Sequence, residues 1–244
     1  NQPNQITYTA TLSGGVAKND ITVTLANDEV ITIKAGETSG SVSVNVQGDD
    51  VYKDGETIEN SIKEVSEGSA NPQLENLEVA DNTDVSVTVE DTIDTVTAHL
   101  TASETVAEGG EITYTVTLRD ADNNPVDAKE AVTVTVTLPD GTTTDVEIGA
   151  DSSSNSVTFT VENDIYDIDS VSGSITGISG GASFEKLEYN GDAQSTGVTD
   201  TGSIDTVKVD LSADVLSIAE GVDGDNQPNQ ITYTATLSGG VAKN

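Results

Sequence analysis

Ile6-Thr7-Tyr8-Thr9-Ala10-Thr11-Leu12 is the stretch that decides the fold. Apolar side chains alternate with threonine along it, and a period of two is typical of a β-strand with one buried face. The pattern returns almost unchanged at residues 112–118 and 231–237. The same alternation predicts further strands at residues 21–25, 42–46, 132–138 and 157–161.

Residues 56–65 are the one segment with a helical alternative, because Ile58 and Ile62 are four residues apart. The matching segment, residues 170–178, contains Gly173 and Gly177, which disfavour a helix. We therefore predict strands in both places. Short strands at regular spacing with polar turns indicate an all-β fold of tandem immunoglobulin-like antiparallel β-sandwich domains. The chain has no Cys or Trp, so its core must be aliphatic.

Two repeats set the domain boundaries. Residues 226–244 are identical to residues 1–19, and a weaker repeat relates Asp205-Thr206-Val207 to Asp94-Thr95-Val96. We predict a domain at 1–93 that lacks its first strand, a domain at 94–204, and the N-terminal part of the next repeat at 205–244. The chain is thus expected to be a piece from the middle of a longer protein.

The composition is strongly acidic. Asp and Glu total 43 against 9 Lys and Arg, which gives a net charge of -34 over 244 residues. Nucleic acid is excluded as a partner, because binding phosphates requires basic surface. No apolar run is long enough for a membrane-spanning helix, so direct membrane insertion is not expected. Self-repulsion of this size destabilises a compact state, so bound cations are expected.

Carboxylates crowd into the two junctions between domains, residues 89–96 and 199–207. Neighbouring carboxylates repel one another unless a cation lies between them. Ca²⁺ takes roughly 6–8 oxygen ligands, which separate loops can supply. The alternative is a solvated acidic surface, which any chain of this charge would carry. The candidate metal ligands are Asp49, Asp50, Asp91, Asp94, Glu108, Asp164, Asp167, Asp200, Asp205 and Glu220.

Asp120 and Asp122 add a candidate at the opposite pole of the second domain. Their loop begins like an EF-hand, but Pro125 stands where Gly is needed and Ala131 where the bidentate Glu belongs. It is therefore not an EF-hand. It can donate oxygens to an interdomain ion, or form a turn in which Asp and Asn bond their own backbone.

Other recurring residues have simpler interpretations. Tyr52 and Tyr166 follow matched Asp-apolar pairs, and packing is favoured over ligand stacking. His99 lies in an alternating run and is expected on a strand face. Four glutamates recur at matched positions, either as a second cation site or as an exposed strand edge: Glu75, Glu78, Glu185 and Glu188.

Enzyme chemistry is not predicted. There is one His, no serine nucleophile motif and no Cys or clustered His for zinc. Acidic pairs suited to glycoside cleavage are inevitable among 43 acids and carry no specificity.

Five motifs, taken in repeat order, resemble the extender repeats of giant bacterial RTX adhesins, the LapA-like and ice-binding-adhesin proteins. They are Ile218-Ala219-Glu220-Gly221, residues 231–237, residues 31–40, residues 49–55 and residues 89–94. The resemblance covers nearly all of 1–93 with 205–225, and 94–204 more loosely. Two features depart from it: the GGxGxD nonapeptide is absent, and Gly202-Ser203 stands where the first junction has Asp91-Thr92.

The resemblance implies tandem Ca²⁺-dependent sandwiches, secreted by a type I system onto a Gram-negative cell surface. There, Ca²⁺ at the linkers would hold neighbouring repeats in line, and other domains of the parent protein would bind the cell or surface ligand. The sequence therefore predicts a structural spacer in cell adhesion and biofilm formation. The alternative is a module that binds glycan or another cell through residues 180–192.

Overall fold

The computed structural model describes residues 4–80, 84–163, 165–166, 169–200, 206–222, 224 and 229–239. All regular elements in these ranges are β-strands, as the alternating pattern predicts. The contacts between residues divide the chain into two compact units. Unit 1 comprises Asn1–Val96, Asp120–Asn124 and Gly181–Leu187, and unit 2 comprises Thr97–Arg119, Pro125–Gly180 and Glu188–Asn244.

Unit 1 is built from seven strands in antiparallel pairs. They are β1 (Gln5–Thr11), β2 (Ile21–Leu25), β3 (Val30–Ile33), β4 (Ser39–Asn45), β5 (Glu56–Asn60), β6 (Ile62–Glu67) and β7 (Val85–Val89). β1 pairs with β4, β2 lies between β3 and β6, and β5 pairs with β7. The segment with a helical alternative is therefore two strands, β5 and β6, and its prediction as strand is confirmed.

The core of unit 1 is aliphatic except for Tyr8 and comes from alternate strand positions. Tyr8 and Ala10 of β1 are buried, while the threonines between them face outward. They pack with the inward side chains of β2 and β3, namely Ile21, Val23, Leu25, Ile31 and Ile33. Burying each such side chain contributes about 1.5–3 kcal/mol relative to leaving it exposed.

Unit 2 forms the more complete sandwich. Its strands are β8 (Thr95–Ala102), β9 (Thr105–Ala107), β10 (Glu111–Arg119), β11 (Val132–Thr137), β12 (Thr143–Ile148), β13 (Ser154–Thr160), β14 (Ser170–Gly180), β15 (Lys186–Tyr189) and β16 (Gln194–Thr199). One sheet has the order β13-β10-β8-β15 and the other β12-β11-β14-β16-β9. The short β9 pairs with β16 in parallel, whereas β8, β10 and β13 pair antiparallel. Two sheets with this order are an immunoglobulin-like sandwich.

The core of unit 2 lies between these sheets. The apolar side chains of β10 and β11 are fully buried, with Tyr114 and Val134 at its centre. Gly173 of β14 makes room for the Tyr114 ring, because a Cβ there would lie 2.9 Å from Tyr114 Cε1. The glycine that argued against a helix is thus also required by the packing.

The C-terminal part of the chain contains two further strands, β17 (Lys208–Ala213) and β18 (Tyr233–Ser238). They pair antiparallel, from Lys208 opposite Ser238 to Ala213 opposite Tyr233. Their side chains are nearly all exposed.

Candidate cation site

A groove of about 490 Å³ in unit 1 brings together most of the carboxylates of the first predicted junction. We refer to it as the acidic groove. The loop after β4, the segment after β7 and Glu185 form its wall. The residues that line it are Asn4, Gln47, Gly48, Asp49, Asp50, Asp54, Gly55, Val89, Glu90, Asp91, Thr92 and Glu185. None of these lining residues is Lys or Arg.

Glu185 reaches the acidic groove because residues 181–187 are fixed to the loop after β4. The Tyr52 and Phe184 rings stack with their centroids 5.4 Å apart, and Phe184 is 1% exposed. The Lys53 amide donates to the Ser183 carbonyl at 2.8 Å, and the Glu185 amide donates to the Val51 carbonyl at 3.1 Å. Packing, the favoured role of Tyr52, is confirmed, and its result is to place Glu185 among the carboxylates.

The loop itself is held by local bonds. Asp50 Oδ1 accepts a 2.7 Å hydrogen bond from the Tyr52 amide, and the Thr92 hydroxyl donates to Asp49. Gly55 permits a close approach of the other wall, since a Cβ there would lie 2.9 Å from the Val89 carbonyl and 3.0 Å from Asp91 Oδ1. Asp91 is therefore positioned by a glycine that no larger residue can replace without a shift of the backbone.

The charge on Glu185 is unfavourable in this setting. Burial raises the pKa of its carboxyl above the usual value, and the negative charges of Asp91, Asp94 and Asp49 raise it further. A 2.5 Å hydrogen bond from the Asp94 amide to Glu185 Oε2 acts in the opposite direction. The net direction is upward, so the cluster lacks the positive charge that four neighbouring carboxylates require.

The chemistry of this cluster fits a hard cation, because all of its ligand atoms would be oxygens, as Ca²⁺ prefers. The carboxylates of the acidic groove do not all converge on one point. In the described ranges, no three side chains of Asp, Glu, His or Cys are grouped closely enough to hold a metal ion. Binding an ion here would therefore require the loops on either side of Glu185 to draw together.

In unit 2 the structure describes two of the predicted ligands of the second junction, Glu108 and Asp200. Glu108 lies in the turn after β9 and is 6% exposed, which is rare for a carboxylate. Its amide donates to the Thr199 carbonyl at 2.9 Å, and the Gly109 amide donates to the Val161 carbonyl at 2.9 Å. The turn thus lies beside the chain that leads to Asp200, which is exposed. Three more predicted ligands, Asp164, Asp167 and Asp205, fall outside the described residues.

Asp120 and Asp122 lie on a closed turn. Asp120 accepts hydrogen bonds from the Asn124 amide at 2.8 Å and from Asn124 Nδ2 at 3.1 Å, on its two different oxygens. The Asn124 side chain is the main cause of the lowered pKa of Asp120. Asn123 at the tip has a φ of 68°, which Asn tolerates. The turn interpretation accounts for this loop, and both oxygens of Asp120 are already engaged.

The remaining candidates lie on open surface. Glu220 is exposed, as are Glu75, Glu78 and Glu188. Glu185 is the one member of the recurring glutamates that joins the carboxylates of a junction. Sequence reasoning did not place it there, although its recurrence beside Phe184 was a signal.

Several other predictions have a structural outcome. His99 lies on β8 opposite Thr117, on a strand as expected. Residues 180–192, the alternative ligand-binding loop, contain β15 and the buried Phe184. The described part of the chain contains no helix that is long and apolar enough to span a membrane.

The fold and this acidic groove define a class of protein: tandem all-β repeats that carry a cluster of carboxylates. The LapA domain model matches residues 1–92 and again residues 94–201. The chain belongs to the LapA domain family, a family of large-adhesin domains. Membership indicates a structural, non-enzymatic region of a surface adhesin and an extracellular or cell-surface location.

Comparison with solved structures also gave matches. The calcium-binding domain CBD12 of CALX1.1 is 12% identical, covering 80% of this chain and 93% of its own, with a TM-score of 0.32. A tetra-tandem repeat in the extending region of a large adhesion protein is 15% identical, covering 97% of this chain and 63% of its own, with a TM-score of 0.32. The S-layer protein rSbsC(31-844) is 15% identical, covering 95% and 31%, with a TM-score of 0.26. No curated protein matches the sequence.

Proposed function

We propose that this chain is an extender of an RTX-type surface adhesin and that Ca²⁺ bound in the acidic groove stiffens it. The observation that carries the proposal is the position of Glu185, whose pKa is raised by burial and by Asp91, Asp94 and Asp49. A divalent cation removes this repulsion by bonding to the carboxylates. It also ties together three segments that are distant in sequence: the loop after β4, the segment after β7 and residues 181–187.

The energy of one such ion is large enough to matter. Extracellular modules bind Ca²⁺ with dissociation constants of about 10⁻⁴–10⁻³ M. At about a hundredfold excess over the dissociation constant, one ion adds about 2.7 kcal/mol to the free energy of unfolding. That is a substantial part of the roughly 5–15 kcal/mol by which a domain is stable. A low-calcium cytosol would leave the groove open, and the extracellular medium would close it.

We propose one set of calcium ligands for each of the two predicted junctions. In the acidic groove we assign Asp49, Asp50, Asp91 and Glu185, which line it, together with Asp94, whose amide donates to Glu185. At the pole of unit 2 the proposed ligands are Glu108, Asp164, Asp167, Asp200 and Asp205, and Glu220 repeats the role of Glu108 in the next copy. Asp120 and Asp122 are weaker candidates, because the Asp120 oxygens already accept from Asn124.

The biological setting of the proposal is a Gram-negative cell surface reached by type I secretion. The partners of the chain there are neighbouring repeats of the same protein. Other domains of the parent adhesin bind the cell or surface ligand, and the repeats project those domains outward in adhesion and biofilm formation.

The test compares Glu185→Gln with Glu75→Gln, its matched control at the equivalent position of the repeat, which is exposed. Calcium binding is measured by titration calorimetry and stability by thermal melting, each in Ca²⁺ and in chelator. We expect Glu185→Gln to weaken calcium binding about tenfold or more, a loss of about 1.4 kcal/mol. In chelator the same variant is at least as stable as the wild type, because it removes a repelled charge. Glu75→Gln leaves both measurements unchanged.

Stiffening is measured by small-angle scattering of the whole chain with Ca²⁺ and with chelator. We expect calcium to raise the melting temperature and to narrow the distribution of intramolecular distances, and Glu185→Gln to reduce both effects. Equal melting temperatures and equal scattering in the two buffers would reject the proposal. An equal calcium response in Glu185→Gln would reject the acidic groove as the site.

A further inference from the structure

Asn190-Gly191 is the only Asn-Gly pair in the chain, and the proposed function does not use it. The pair lies in the connection between β15 and β16, which crosses from one sheet of unit 2 to the other. Asn190 is half-buried and Gly191 is exposed. Because glycine has no side chain, the backbone nitrogen that follows the Asn190 amide group is not shielded.

The two ends of this connection are held by different sheets. At one end the Asn190 amide donates to the Ala98 carbonyl of β8 at 2.9 Å. At the other end Gln194, the first residue of β16, lies opposite Gly173 of β14. The backbone between Asn190 and Gln194 therefore has little freedom to change its length.

The Asn190 side chain is folded back over the residues that follow it. Its Oδ1 accepts a hydrogen bond from the Asp192 amide at 2.8 Å, which closes an Asx turn. The ring of atoms that this bond closes contains both Cγ of Asn190 and the nitrogen of Gly191, so the turn keeps these two atoms on the same side of the chain. The bond also draws electron density from the Cγ carbonyl, which makes Cγ more reactive towards a nucleophile.

The Gly191 amide is not engaged elsewhere. In the described part of the chain it donates no hydrogen bond. Its surroundings are also open, since a Cβ at Gly191 would lie 3.6 Å from the Ile175 carbonyl oxygen and 3.7 Å from Tyr189 Cε2, which are ordinary contacts. Nothing therefore holds the nitrogen away from the Asn190 side chain.

Asn123 and Asn124 show the opposite arrangement on another exposed turn. The amide after Asn123 is that of Asn124, and it donates to Asp120 Oδ1 at 2.8 Å. The residue after Asn124 is Pro125, which has no N–H group. Neither side chain is followed by an unbonded amide, so this turn is an internal control for Asn190.

We propose that Asn190 is a self-modification site, where the chain converts its own asparagine to aspartate and isoaspartate. The Gly191 nitrogen gives its proton to water and bonds to Cγ of Asn190. The bond from Cγ to Nδ2 breaks, and Nδ2 takes a proton from water and leaves as ammonia. Water then opens the cyclic imide. Breaking the new bond to Cγ gives aspartate, and breaking the original peptide bond gives isoaspartate.

Isoaspartate disturbs the connection more than aspartate does. Aspartate keeps the main chain unchanged, and its carboxylate can still accept from the Asp192 amide. Isoaspartate adds one methylene group to the main chain between the two held ends. Both products place a negative charge beside Asp192, in a chain whose net charge is already -34. We therefore expect the converted chain to be less stable, with isoaspartate as the main cause.

The first experiment follows conversion in the folded 244-residue chain during incubation in warm, mildly alkaline buffer. Trypsin then releases residues 187–208, which contain Asn190, and residues 120–129, which contain Asn123 and Asn124. Mass spectrometry detects the replacement of –NH₂ by –OH, and chromatography separates isoaspartate from aspartate. We expect residues 187–208 to be converted and residues 120–129 to stay unchanged. Equal conversion of the two peptides would overturn the proposal.

The second experiment tests the geometry. Gly191→Ala is expected to keep the fold, because the added Cβ makes ordinary contacts, and to convert about tenfold more slowly, which corresponds to about 1.4 kcal/mol in the barrier. The folded wild type is expected to convert at least as fast as the same chain in urea, where the Asx turn is lost. Conversion in urea but not in the folded chain would show that the connection protects Asn190, and would overturn the proposal.

The third experiment measures the consequence by thermal melting in chelator, so its outcome is independent of calcium binding. We expect the incubated wild type to melt below the fresh wild type and below fresh Asn190→Asp, which carries the charge without the longer main chain. Incubated Gly191→Ala melts like its fresh sample. An equal melting temperature for fresh and fully converted wild type would contradict the expected disturbance of the connection.

Discussion

Tyr114 carries a polar group in an apolar core. Its ring is fully buried against Gly173, and its hydroxyl has no hydrogen-bond partner among the described residues. Burial also raises the pKa of this hydroxyl. An unsatisfied buried polar group costs about 1–3 kcal/mol, so we expect Tyr114→Phe to raise the free energy of unfolding by about 1 kcal/mol in urea denaturation. Tyr189→Phe is the control, because the exposed Tyr189 hydroxyl donates to the Thr176 carbonyl and its loss is not stabilising. A destabilised Tyr114→Phe would show that the hydroxyl has a partner.

Glu67 is a residue whose charge the fold stabilises. Its carboxylate accepts hydrogen bonds from the amides of Gln73 and Leu74 and from Asn19 Nδ2. The Gln73 amide is the main cause of its lowered pKa. The folded state therefore binds this proton less readily than the unfolded state, so the contribution of Glu67 is present above the unfolded pKa of about 4.5 and is lost as the pH falls below it.

We accordingly expect Glu67→Gln to be less stable than the wild type at pH 7, with the difference shrinking towards pH 3. Thermal melting in chelator from pH 7 down to pH 3 measures it. Glu64→Gln is the control, because Glu64 lies on the same strand, three residues before Glu67, and is exposed. A difference that stays constant over this range would mean that Glu67 acts through its shape and not its charge.

Glu185 shows where sequence reasoning stops at this scale. The carboxylates of the first junction could be identified from their spacing, because Asp91 and Asp94 are close in sequence. Glu185 joins them through the stacking of Tyr52 on Phe184. These rings are 132 positions apart in the sequence, and no spacing rule connects them. The recurrence of Glu75 and Glu185 indicated a shared role but not its location.

At the scale of elements, residues 181–187 are held in unit 1 by two backbone hydrogen bonds and by the buried side chain of Phe184. We expect Phe184→Ala to lower the free energy of unfolding by about 3–5 kcal/mol, because Phe184 is fully buried beneath Tyr52. Phe184→Leu, which introduces the residue found at the matched position Leu74, retains most of the packing and is the milder control. Urea denaturation gives both values. Because Phe184 also positions Glu185, the alanine variant is expected to bind calcium less tightly. Calcium binding as tight as that of the wild type would show that the cation site does not depend on the packing of Phe184.

Strands could be predicted from the sequence where one face of the strand is buried and the other is exposed. The alternation in β1, β10 and β11 is a direct consequence of a sheet with one face in the core, and these predictions are confirmed. β9 and β15 were not predicted, because three or four residues are too few to show a period. β15 lies within the segment considered as a ligand-binding loop. Its strand conformation comes from pairing in the sheet and not from its own sequence.

At the scale of the whole molecule, the net charge of -34 opposes the folded state. Screening reduces this repulsion, since the Debye length falls from about 30 Å at 0.01 M salt to about 3 Å at 1 M. Salt also weakens favourable pairs such as Lys34–Asp20 and Lys63–Asp28, but these two are exposed and contribute little. The repulsion is therefore the larger effect, and we expect the melting temperature in chelator to rise steadily with NaCl.

The same measurement separates screening from specific binding. Calcium at millimolar concentration changes the ionic strength very little, so a rise in melting temperature at constant high NaCl reports bound ions and not screening. We expect this rise to persist in 1 M NaCl, reduced but not abolished, because carboxylates that touch an ion are screened less than distant charges. Magnesium is the matched control, since its small size and octahedral preference suit a cluster of spread carboxylates poorly. If calcium and magnesium raise the melting temperature equally, and both effects vanish in 1 M NaCl, the cations act as a diffuse atmosphere around an acidic chain.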